Sequence, residues 1–434
     1  MNILIIIVIL MLTLPGIARP NDPDYMKTSL QAAKWIRSSA VNTEQGITWP
    51  ADPADPKSVN LTLYSGSPGV ILFFLEAYRA TGDKSFLRDA RRGADSLLGS
   101  IASINDYGLY TGLAGLGFTL EETFKATGER EYRQAAIRCA EIIIERAVKT
   151  GGGIEWNDTT DIIGGSAGTG LFLLYAAREF KRPEFLDSAS LAARRLIELG
   201  RREGRGVKWA MNPRFPRLMP NFSHGTAGIA YFLVSVYTAT KVKPFLDAAI
   251  QGAEYLLSIA KTDGDLCLIF HNEPDGKELY YLGWCHGPVG TARLFYQLYR
   301  ATGEDKWMDW VHRSARAVMA SGIPEKQTPG FWNNVSQCCG SAGVADFFLS
   351  LYKASRNQDY LEFSKRVAAQ LISRTTIDEK GARWVQAEHR VRPEQLAAQT
   401  GYMQGASGIA LLMLRLHYFE RGKELSIILP DSPF

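Results

Sequence analysis

One short pattern, a G-x-x-G turn followed by an apolar helix, occurs seven times along the 434-residue chain. The spacing between successive turns varies from 46 to 65 residues, so the insertions are expected to fall in loops. Helical units repeated in this way bury a continuous core only by packing on one another. The first glycines of the turns are Gly66, Gly112, Gly165, Gly225, Gly287, Gly340 and Gly405.

The helices that follow these turns are apolar on nearly every face, which is typical of a helix buried on several sides. A second, amphipathic helix precedes each of them, as in residues 85–102, 131–147 and 306–320. We therefore predict an all-α fold, an α/α toroid (barrel) of seven helical hairpins with seven inner and seven outer helices. An open solenoid is the alternative, but its last repeat would carry a polar capping face. The repeat from Gly405 is as apolar as the others, which favours a closed ring.

Glycines at these turns place seven helix N-termini around one mouth of the predicted ring. The loops leading to that mouth carry six tryptophans. We expect most of them to pack beneath the loops and one or two to line a substrate cleft. They are Trp49, Trp156, Trp209, Trp284, Trp332 and Trp384.

The N-terminal segment differs from the rest of the chain. Residues 3–14 are almost wholly apolar, and Pro15, Gly16 and Ala18 follow. This pattern predicts a signal peptide over residues 1–18 and export to a secreted or periplasmic location. The alternatives are an uncleaved N-terminal anchor, which would be the protein's only membrane association, and a cytoplasmic protein with a misassigned start. Residues 24–421 would then form the toroid domain and residues 422–434 a C-terminal tail.

Charge and cysteine content exclude two classes of protein. The net charge is only +4, and no dense run of Lys or Arg predicts a nucleic-acid partner. Five cysteines are too few for a disulfide scaffold of this size, and an odd number cannot pair completely within one chain. Three of the five fall in two tight clusters, which favours a metal or a reactive-thiol site.

Both cysteine clusters directly precede G-x-x-G turns. One is G-W-C-H-G, with Cys285 and His286, and the other is Q-C-C-G, with Cys338 and Cys339. In a closed ring these side chains would converge on the mouth. Three thiolates with an open fourth position are typical of a catalytic zinc site. Buried free thiols and a vicinal Cys338–Cys339 disulfide are the alternatives.

Seven such turns, with W-C-x-G in the fifth and C-x-G in the sixth, resemble the lanthionine synthetase C-like family over nearly all of residues 24–421. The resemblance implies zinc bound by Cys285 and Cys338, with Cys339 in place of the family's histidine. It also implies that a thiol adds to dehydroalanine or dehydrobutyrine to form a thioether. A third thiolate would make zinc a poorer Lewis acid and the bound thiolate more nucleophilic.

Two further residues follow from the resemblance. His224 precedes the fourth turn and Asp161 precedes the third, and in the family such residues lie near zinc as acid/base groups. Histidine suits proton transfer near neutral pH. The alternative is that both residues only cap the starts of helices.

The chain also departs from bacterial cyclases near the fifth turn. Tyr281 replaces an arginine three residues before Trp284, and His286 replaces a frequent tyrosine. Arg390, in the polar stretch E-H-R-V-R, is a candidate to supply the missing positive charge. We expect His286, Tyr281 and Arg390 to surround the metal ligands without binding the metal.

The sequence therefore predicts a zinc-dependent enzyme that joins a thiol to a dehydroamino acid, in a peptide or with a small thiol substrate. A non-catalytic, zinc-stabilised, exported peptide-binding scaffold is one alternative. A carbohydrate-processing toroid is another. It would need a carboxylate pair, formed by Asp161 with Asp158, Glu155 or Glu273.

Overall fold

The computed structural model describes residues 23–212, 214 and 217–434, and the predicted signal peptide lies outside them. Within these residues the chain forms fourteen α-helices in two concentric layers. The inner layer contains α2 (Ser67–Thr81), α4 (Leu113–Thr127), α6 (Ser166–Phe180), α8 (Thr226–Thr240), α10 (Pro288–Thr302), α12 (Ser341–Ser355) and α14 (Ala406–Phe419). The outer layer contains α1 (Tyr25–Ser38), α3 (Lys84–Leu98), α5 (Arg130–Glu145), α7 (Pro183–Leu199), α9 (Lys243–Ser258), α11 (Asp305–Ala320) and α13 (Gln358–Ser373). Of the helices that the structure describes, none has both the length and the apolar character needed to cross a membrane.

Sequence periodicity assigns each helix to its layer. In α8 every residue from Thr226 to Val234 is buried, whereas α3 buries only one face, through residues such as Phe86 and Ala90. Inner and outer helices are joined by tight turns that end in a residue with left-handed φ. That residue is Gly82, Gly128 or Gly303 in three of the pairs, and a left-handed glycine is a common way to end a helix.

The ring closes by contact between the two ends of the toroid. Helix α1 packs on α14, which itself packs against α2. The hydroxyl of Ser29 in α1 donates a hydrogen bond to the carbonyl oxygen of Ala410 in α14 at 3.1 Å. The predicted α/α toroid is confirmed, and the open solenoid is wrong because no end repeat is left uncovered. One predicted boundary is also wrong: α3 ends at Leu98, and Ile101–Ser103 forms a separate 3-10 turn.

Short antiparallel hairpins, which the sequence analysis did not predict, follow several outer helices. The six two-stranded sheets in the described residues are β1 (Val41–Asn42) with β2 (Ile47–Thr48), β3 (Val148–Thr150) with β4 (Gly153–Glu155), β5 (Arg201–Glu203) with β6 (Gly206–Lys208), β7 (Lys261–Asp263) with β8 (Leu266–Leu268), β9 (Thr376–Asp378) with β10 (Gly381–Arg383), and β11 (Gln386–Ala387) with β12 (Leu396–Ala397). In the fourth, Lys261 lies opposite Leu268. Each strand has two or three residues, too few to show a periodic pattern.

Several of the loop tryptophans hold these hairpins to the outer helices. The indole N–H of Trp156, Trp209 and Trp384 each donates to a backbone carbonyl thirteen residues earlier, near the end of an outer helix, at 2.6–2.8 Å. This is the packing role expected for most of the loop tryptophans.

Residues 422–434 run back into the ring at the end opposite the mouth. Asp431 is buried and accepts a hydrogen bond from the hydroxyl of Tyr110 at 3.1 Å. Arg293 on α10 donates to the backbone carbonyl of Asp431 at 3.1 Å. The ring of Phe434 stacks on Tyr296 with centroids 4.4 Å apart. The segment predicted as a tail is therefore packed against the inner helices.

Candidate metal centre and active site

A closed circle of backbone hydrogen bonds links all seven repeats at the mouth. In each repeat, the residue two positions before the first glycine of the turn takes part in the circle. In the third repeat this residue, Ile163, provides only the carbonyl oxygen, and the amide is that of Ile162. Each amide donates to a carbonyl in a neighbouring repeat, and the seventh repeat donates back to the first. The bonds are Tyr64 N to Tyr110 O (3.0 Å), Tyr110 N to Ile163 O (2.9 Å), Ile162 N to Ser223 O (3.2 Å), Ser223 N to Cys285 O (3.0 Å), Cys285 N to Cys338 O (3.0 Å), Cys338 N to Met403 O (3.0 Å) and Met403 N to Tyr64 O (2.8 Å).

Two of the predicted cysteines occupy neighbouring positions in this circle, and the third follows directly. The Sγ atoms of Cys285 and Cys339 lie 3.2 Å apart, and those of Cys339 and Cys338 lie 3.4 Å apart. All three sulfurs are within 4.8 Å of one another. The structure thus brings together three thiols from two turns that are distant in sequence, as the motif analysis predicted.

The second glycine of each turn makes this arrangement sterically feasible. A Cβ on Gly290 would lie 1.9 Å from the carbonyl oxygen of Trp284, the residue before Cys285. A Cβ on Gly343 would lie 2.1 Å from the carbonyl oxygen of Gln337, the residue before Cys338. Any larger residue would therefore push the cysteine-bearing segments away from the helix starts.

The donor set fits a zinc ion. Zn–S bonds of about 2.3 Å in tetrahedral geometry place sulfur ligands about 3.8 Å apart, close to the separations found here. The 3.4 Å between Cys338 and Cys339 is well beyond an S–S bond of about 2.05 Å, so the two residues are free thiols. Three soft sulfurs, with Cys339 partly open to solvent, could hold a metal ion and leave a fourth position for another ligand.

In the absence of a metal, the neighbouring sulfurs shift the pKa values of Cys338 and Cys285 in opposite directions. Burial opposes the thiolate form of Cys338, but hydrogen bonds from Cys285, Cys339 and Tyr64 outweigh it, and the pKa of Cys338 falls well below its ordinary value. Burial raises the pKa of Cys285, and the neighbouring sulfurs raise it further. One thiolate stabilised by its neighbours makes the cluster attractive to a cation.

His224 and Asp161 form a pair next to the cysteines, in which Asp161 is buried and His224 is partly exposed to the pocket. Nδ1 of His224 lies 2.6 Å from Oδ2 of Asp161, and Asp161 is only 2% exposed. Burial disfavours the imidazolium of His224, but the hydrogen bond and charge of Asp161 outweigh it and raise the pKa. Oδ1 of Asp161 accepts the amide of Gly164 at 2.9 Å, so the carboxylate also stabilises the turn. Asp161 therefore both contacts His224 and stabilises the third turn.

A second cluster of rings continues from His224. His286 lies 5.6 Å from His224 and stacks on His271 with centroids 4.5 Å apart. Tyr281 packs edge-on against His271 at 4.4 Å, and Nε of Arg390 lies 3.3 Å from its hydroxyl. Burial and then Arg390 lower the pKa of His271 to about 4. The three residues predicted to surround the metal ligands are thus close together, and Arg390 contacts Tyr281.

An open pocket of about 310 Å³ lies over the cysteines. Cys285, Cys338, Cys339, His224 and His286 form one side of it, and neutral side chains from the first three repeats form the other. These neutral residues are Thr62, Tyr64, Ser65, Thr111 and Ile163. The pocket is large enough for one or two amino-acid residues but does not enclose a long polymer.

Other predicted candidates lie elsewhere or serve packing. Glu155 pairs with Arg195 at 2.7 Å, and Glu273 accepts hydrogen bonds from Lys208 and Tyr255. These contacts occupy both carboxylates, and His224 rather than a second carboxylate is the partner of Asp161. Asp158 pairs with Arg214, and His389 is exposed to solvent. Two of the loop tryptophans pack against tyrosines: Trp284 against Tyr110, beneath the circle, and Trp332 against Tyr281.

Three residues of the site were not predicted as part of it. They are His271, Tyr64 and Gln404. The hydroxyl of Tyr64 donates to Sγ of Cys338 at 3.1 Å, and Nε2 of Gln404 donates to that hydroxyl at 2.8 Å. Their common signal is position, because Tyr64 and Gln404 lie two and one residues before G-x-x-G turns, where the cysteines and His224 also lie.

Fold and site together define a class of protein: an α/α toroid with a three-thiol centre and a histidine–aspartate pair at its mouth. The sequence model of the family described as "Lanthionine synthetase C-like protein" matches residues 57–429, and the chain belongs to this family.

Solved structures with a similar fold include a cyclase, a glucuronyl hydrolase and a mannanase. Nisin cyclase is similar with a TM-score of 0.62 at 15% identity, over 83% of this chain and 89% of that chain. An unsaturated glucuronyl hydrolase specific for heparin has a TM-score of 0.50 at 14% identity, over 93% of this chain and 100% of that chain. An α-1,6-mannanase of Salegentibacter sp. HEL1_6 has a TM-score of 0.50 at 14% identity, over 90% and 98%. At these identities the likeness concerns the fold alone.

Proposed function

We propose that this protein is a zinc-dependent enzyme that adds a thiol to a dehydroamino acid, forming a thioether in a peptide or with a small thiol. The observation that carries the proposal is the convergence of Cys285, Cys338 and Cys339 on one point beside His224. Membership of the lanthionine synthetase C-like family supports the same chemistry. The fold alone is shared with carbohydrate-active enzymes, which would need a second carboxylate beside Asp161. The three candidates for that carboxylate each pair with a basic side chain instead.

Zinc would be held by the three cysteine sulfurs and would supply a Lewis acid that favours the thiolate form of a substrate thiol. In the overall reaction one S–C bond forms at Cβ of the dehydroamino acid and the Cα=Cβ π bond breaks. The thiol proton leaves to a base, and Cα receives a proton. The net result is addition of S–H across the double bond, with no change in total electrons.

His224 is the residue placed to move these protons. Its Nδ1 is held by Asp161, which leaves Nε2 for the substrate and fixes the orientation of the ring. A neutral imidazole takes the thiol proton, and the resulting imidazolium, stabilised by Asp161, returns a proton at Cα. The hydrogen bond and charge of Asp161 raise the pKa of His224 despite burial, which favours the imidazolium that returns the proton.

Arg390 provides positive charge beside His286, which lines the pocket, because Tyr281 contacts both residues. The hydroxyl of Tyr281 accepts a hydrogen bond from Arg390, so its own proton is available for another acceptor. As the thiolate attacks, negative charge develops on the carbonyl oxygen of the dehydroamino acid. The charge of Arg390 and the hydroxyl proton of Tyr281 would stabilise that oxygen, as an oxyanion-binding group does.

The test uses the full-length protein loaded with zinc, a peptide containing dehydroalanine, and a small thiol. We expect thioether formation, followed by mass spectrometry, to be faster than the uncatalysed background. Cys285→Ala and Cys338→Ala should reduce the rate to background. Metal-loaded protein that gives no acceleration would instead support the non-catalytic scaffold, and reducing sugar released by a Cys338→Ser, Cys339→Ser variant would support the carbohydrate-processing alternative.

Export, predicted from residues 1–18, is part of the proposal. In an oxidising compartment free thiols tend to form disulfides, and bound zinc would protect the three cysteines. The mass of the mature protein purified from its native host tests this point, since removal of residues 1–18 changes it directly.

A further inference from the structure

Tyr64 lies at the one place in the mouth where a hydroxyl touches a sulfur of the cluster, among the residues that the structure describes. It belongs to the first repeat, yet its hydroxyl oxygen is 3.1 Å from Sγ of Cys338 in the sixth. The backbone on both sides is fixed, because its amide donates to Tyr110 at 3.0 Å and its carbonyl accepts from Met403 at 2.8 Å. The contact therefore joins the first repeat to the sixth across the closed ring.

Gln404 determines the direction of the hydrogen bond. Its Nε2 donates to the hydroxyl oxygen of Tyr64 at 2.8 Å, which occupies an acceptor position of that oxygen. A phenol has one proton to donate, and the nearby acceptor is Sγ of Cys338. Gln404 is itself 2% exposed, and its Oε1 lies 3.5 Å from Nδ2 of Asn334, so its amide is held in this orientation.

The two neighbours of the hydroxyl keep Tyr64 a donor. Gln404 occupies an acceptor position of its oxygen at 2.8 Å, and Sγ of Cys338 lies 3.1 Å away to accept its proton. A neutral donor next to a thiolate withdraws electron density from the sulfur, because hydrogen bonds to ionised acceptors are strong.

We propose that Tyr64 is a positioning residue for the metal site, which sets the orientation and electron donation of Cys338 through its hydroxyl. The inference rests on the proposed function, since it concerns the ion that the three sulfurs would hold. Three thiolates carry one more negative charge than is needed to neutralise a divalent ion. A hydrogen bond to one of them reduces that excess and partly restores the Lewis acidity that a third thiolate removes. Gln404 supports Tyr64 from the seventh repeat.

Cobalt(II) in place of zinc gives a direct readout, because sulfur-to-cobalt charge-transfer bands report electron density on the sulfurs. In Tyr64→Phe the sulfur of Cys338 loses its donor, so we expect these bands to move to longer wavelength. Zinc affinity, measured by competition with a chromophoric chelator, should fall about tenfold. Gln404→Leu should change both quantities in the same direction by a smaller amount.

Tyr110→Phe is the matched control. Tyr110 occupies the same position in the second repeat, and its hydroxyl contacts Asp431 rather than a sulfur. It should leave the cobalt spectrum and the zinc affinity unchanged. Circular dichroism of each variant checks that the ring is folded.

The two proposals fail in different ways. Wild-type protein that binds cobalt, together with a folded Tyr64→Phe whose bands and affinity equal those of the wild type, would overturn the role of Tyr64 and leave the proposed function standing. Wild-type protein with reduced thiols that binds neither cobalt nor zinc would overturn both. A band shift in Tyr110→Phe equal to that in Tyr64→Phe would also contradict the assignment.

Discussion

The amide of Cys285 donates to the carbonyl oxygen of Cys338 at 3.0 Å, so the two cysteine turns are joined through their backbones. This bond is one member of the circle that links all seven repeats. The packing of the ring therefore places the two cysteine-bearing segments side by side. A preformed site of this kind loses little conformational entropy when an ion binds, which favours tight binding.

Metal content is the first prediction. Wild-type protein should contain about one zinc per chain, and Cys285→Ser or Cys338→Ser should lose most of it, because two sulfurs alone make a much weaker site. Cys139→Ser is the control: Cys139 is fully buried in α5, outside the cluster, and burial raises its pKa to about 12. Elemental analysis by mass spectrometry measures the ratio. Equal zinc in all four proteins would show that the sulfurs do not bind it.

The acid limb of the pH–rate profile should depend on Asp161. Asp161 raises the pKa of His224, so the neutral base is lost when the pH falls through a value above the ordinary 6.5. Asp161→Asn removes the charge that favours the imidazolium, and the limb should move to lower pH. The plateau rate should fall by about 10² because the ring loses its anchor.

Two variants complete this experiment. His224→Ala should reduce the rate by about 10² to 10⁴ and should leave the pH–rate profile without its acid limb. Asp158→Asn should leave the profile unchanged, since Asp158 is half-exposed and pairs with Arg214 instead. An acid limb that stays in place in Asp161→Asn would exclude His224 as the titrating base.

Much of this site could be predicted from the sequence, because the cysteines and His224 lie directly before the G-x-x-G turns that the sequence shows. The G-x-x-G turns fix where each helix begins, so Cys285, Cys338 and His224 could be placed at the mouth from their distance to a turn. Tyr64 and Gln404 lie at equivalent positions, yet a tyrosine and a glutamine have no metal chemistry of their own. Their role arises only when the first and seventh repeats meet, which depends on ring closure.

Other features lacked a local signal of any kind. Residues 425–434 look like an ordinary polar–apolar tail, and the buried position of Asp431 results from its contacts with Tyr110 and Arg293. His271 is a single histidine in a loop. It joins the ring cluster because the backbone around residues 271–281 folds back, with the amide of His271 donating to Leu279 at 2.7 Å.

Arg390 should affect both catalysis and the titration of His271. Arg390 lowers the pKa of His271, after burial, so Arg390→Ala should raise that pKa above its present value of about 4. The rate of thiol addition should fall about tenfold, because positive charge near the developing enolate is lost. Histidine titration by NMR and steady-state kinetics measure the two effects. Arg392→Ala, two residues along the same loop and exposed, should change neither. A fall in rate with no change in the pKa of His271 would place Arg390 elsewhere in solution.

The second glycine of the sixth turn should be essential to the metal site. A Cβ at Gly343 would lie 2.1 Å from the carbonyl oxygen of Gln337, which precedes Cys338. Gly343→Ala must therefore shift the backbone that carries Cys338, at a cost of about 1–3 kcal/mol in folding free energy. Zinc affinity should fall as well, because the sulfurs separate. Gly99→Ala is the control, since its Cβ would meet only the flexible side chain of Gln45 at 3.1 Å. Chemical denaturation and chelator competition measure the two quantities. If Gly343→Ala lost stability but kept full zinc affinity, the ion itself would be holding the cysteines together, and the backbone circle would not be what places them.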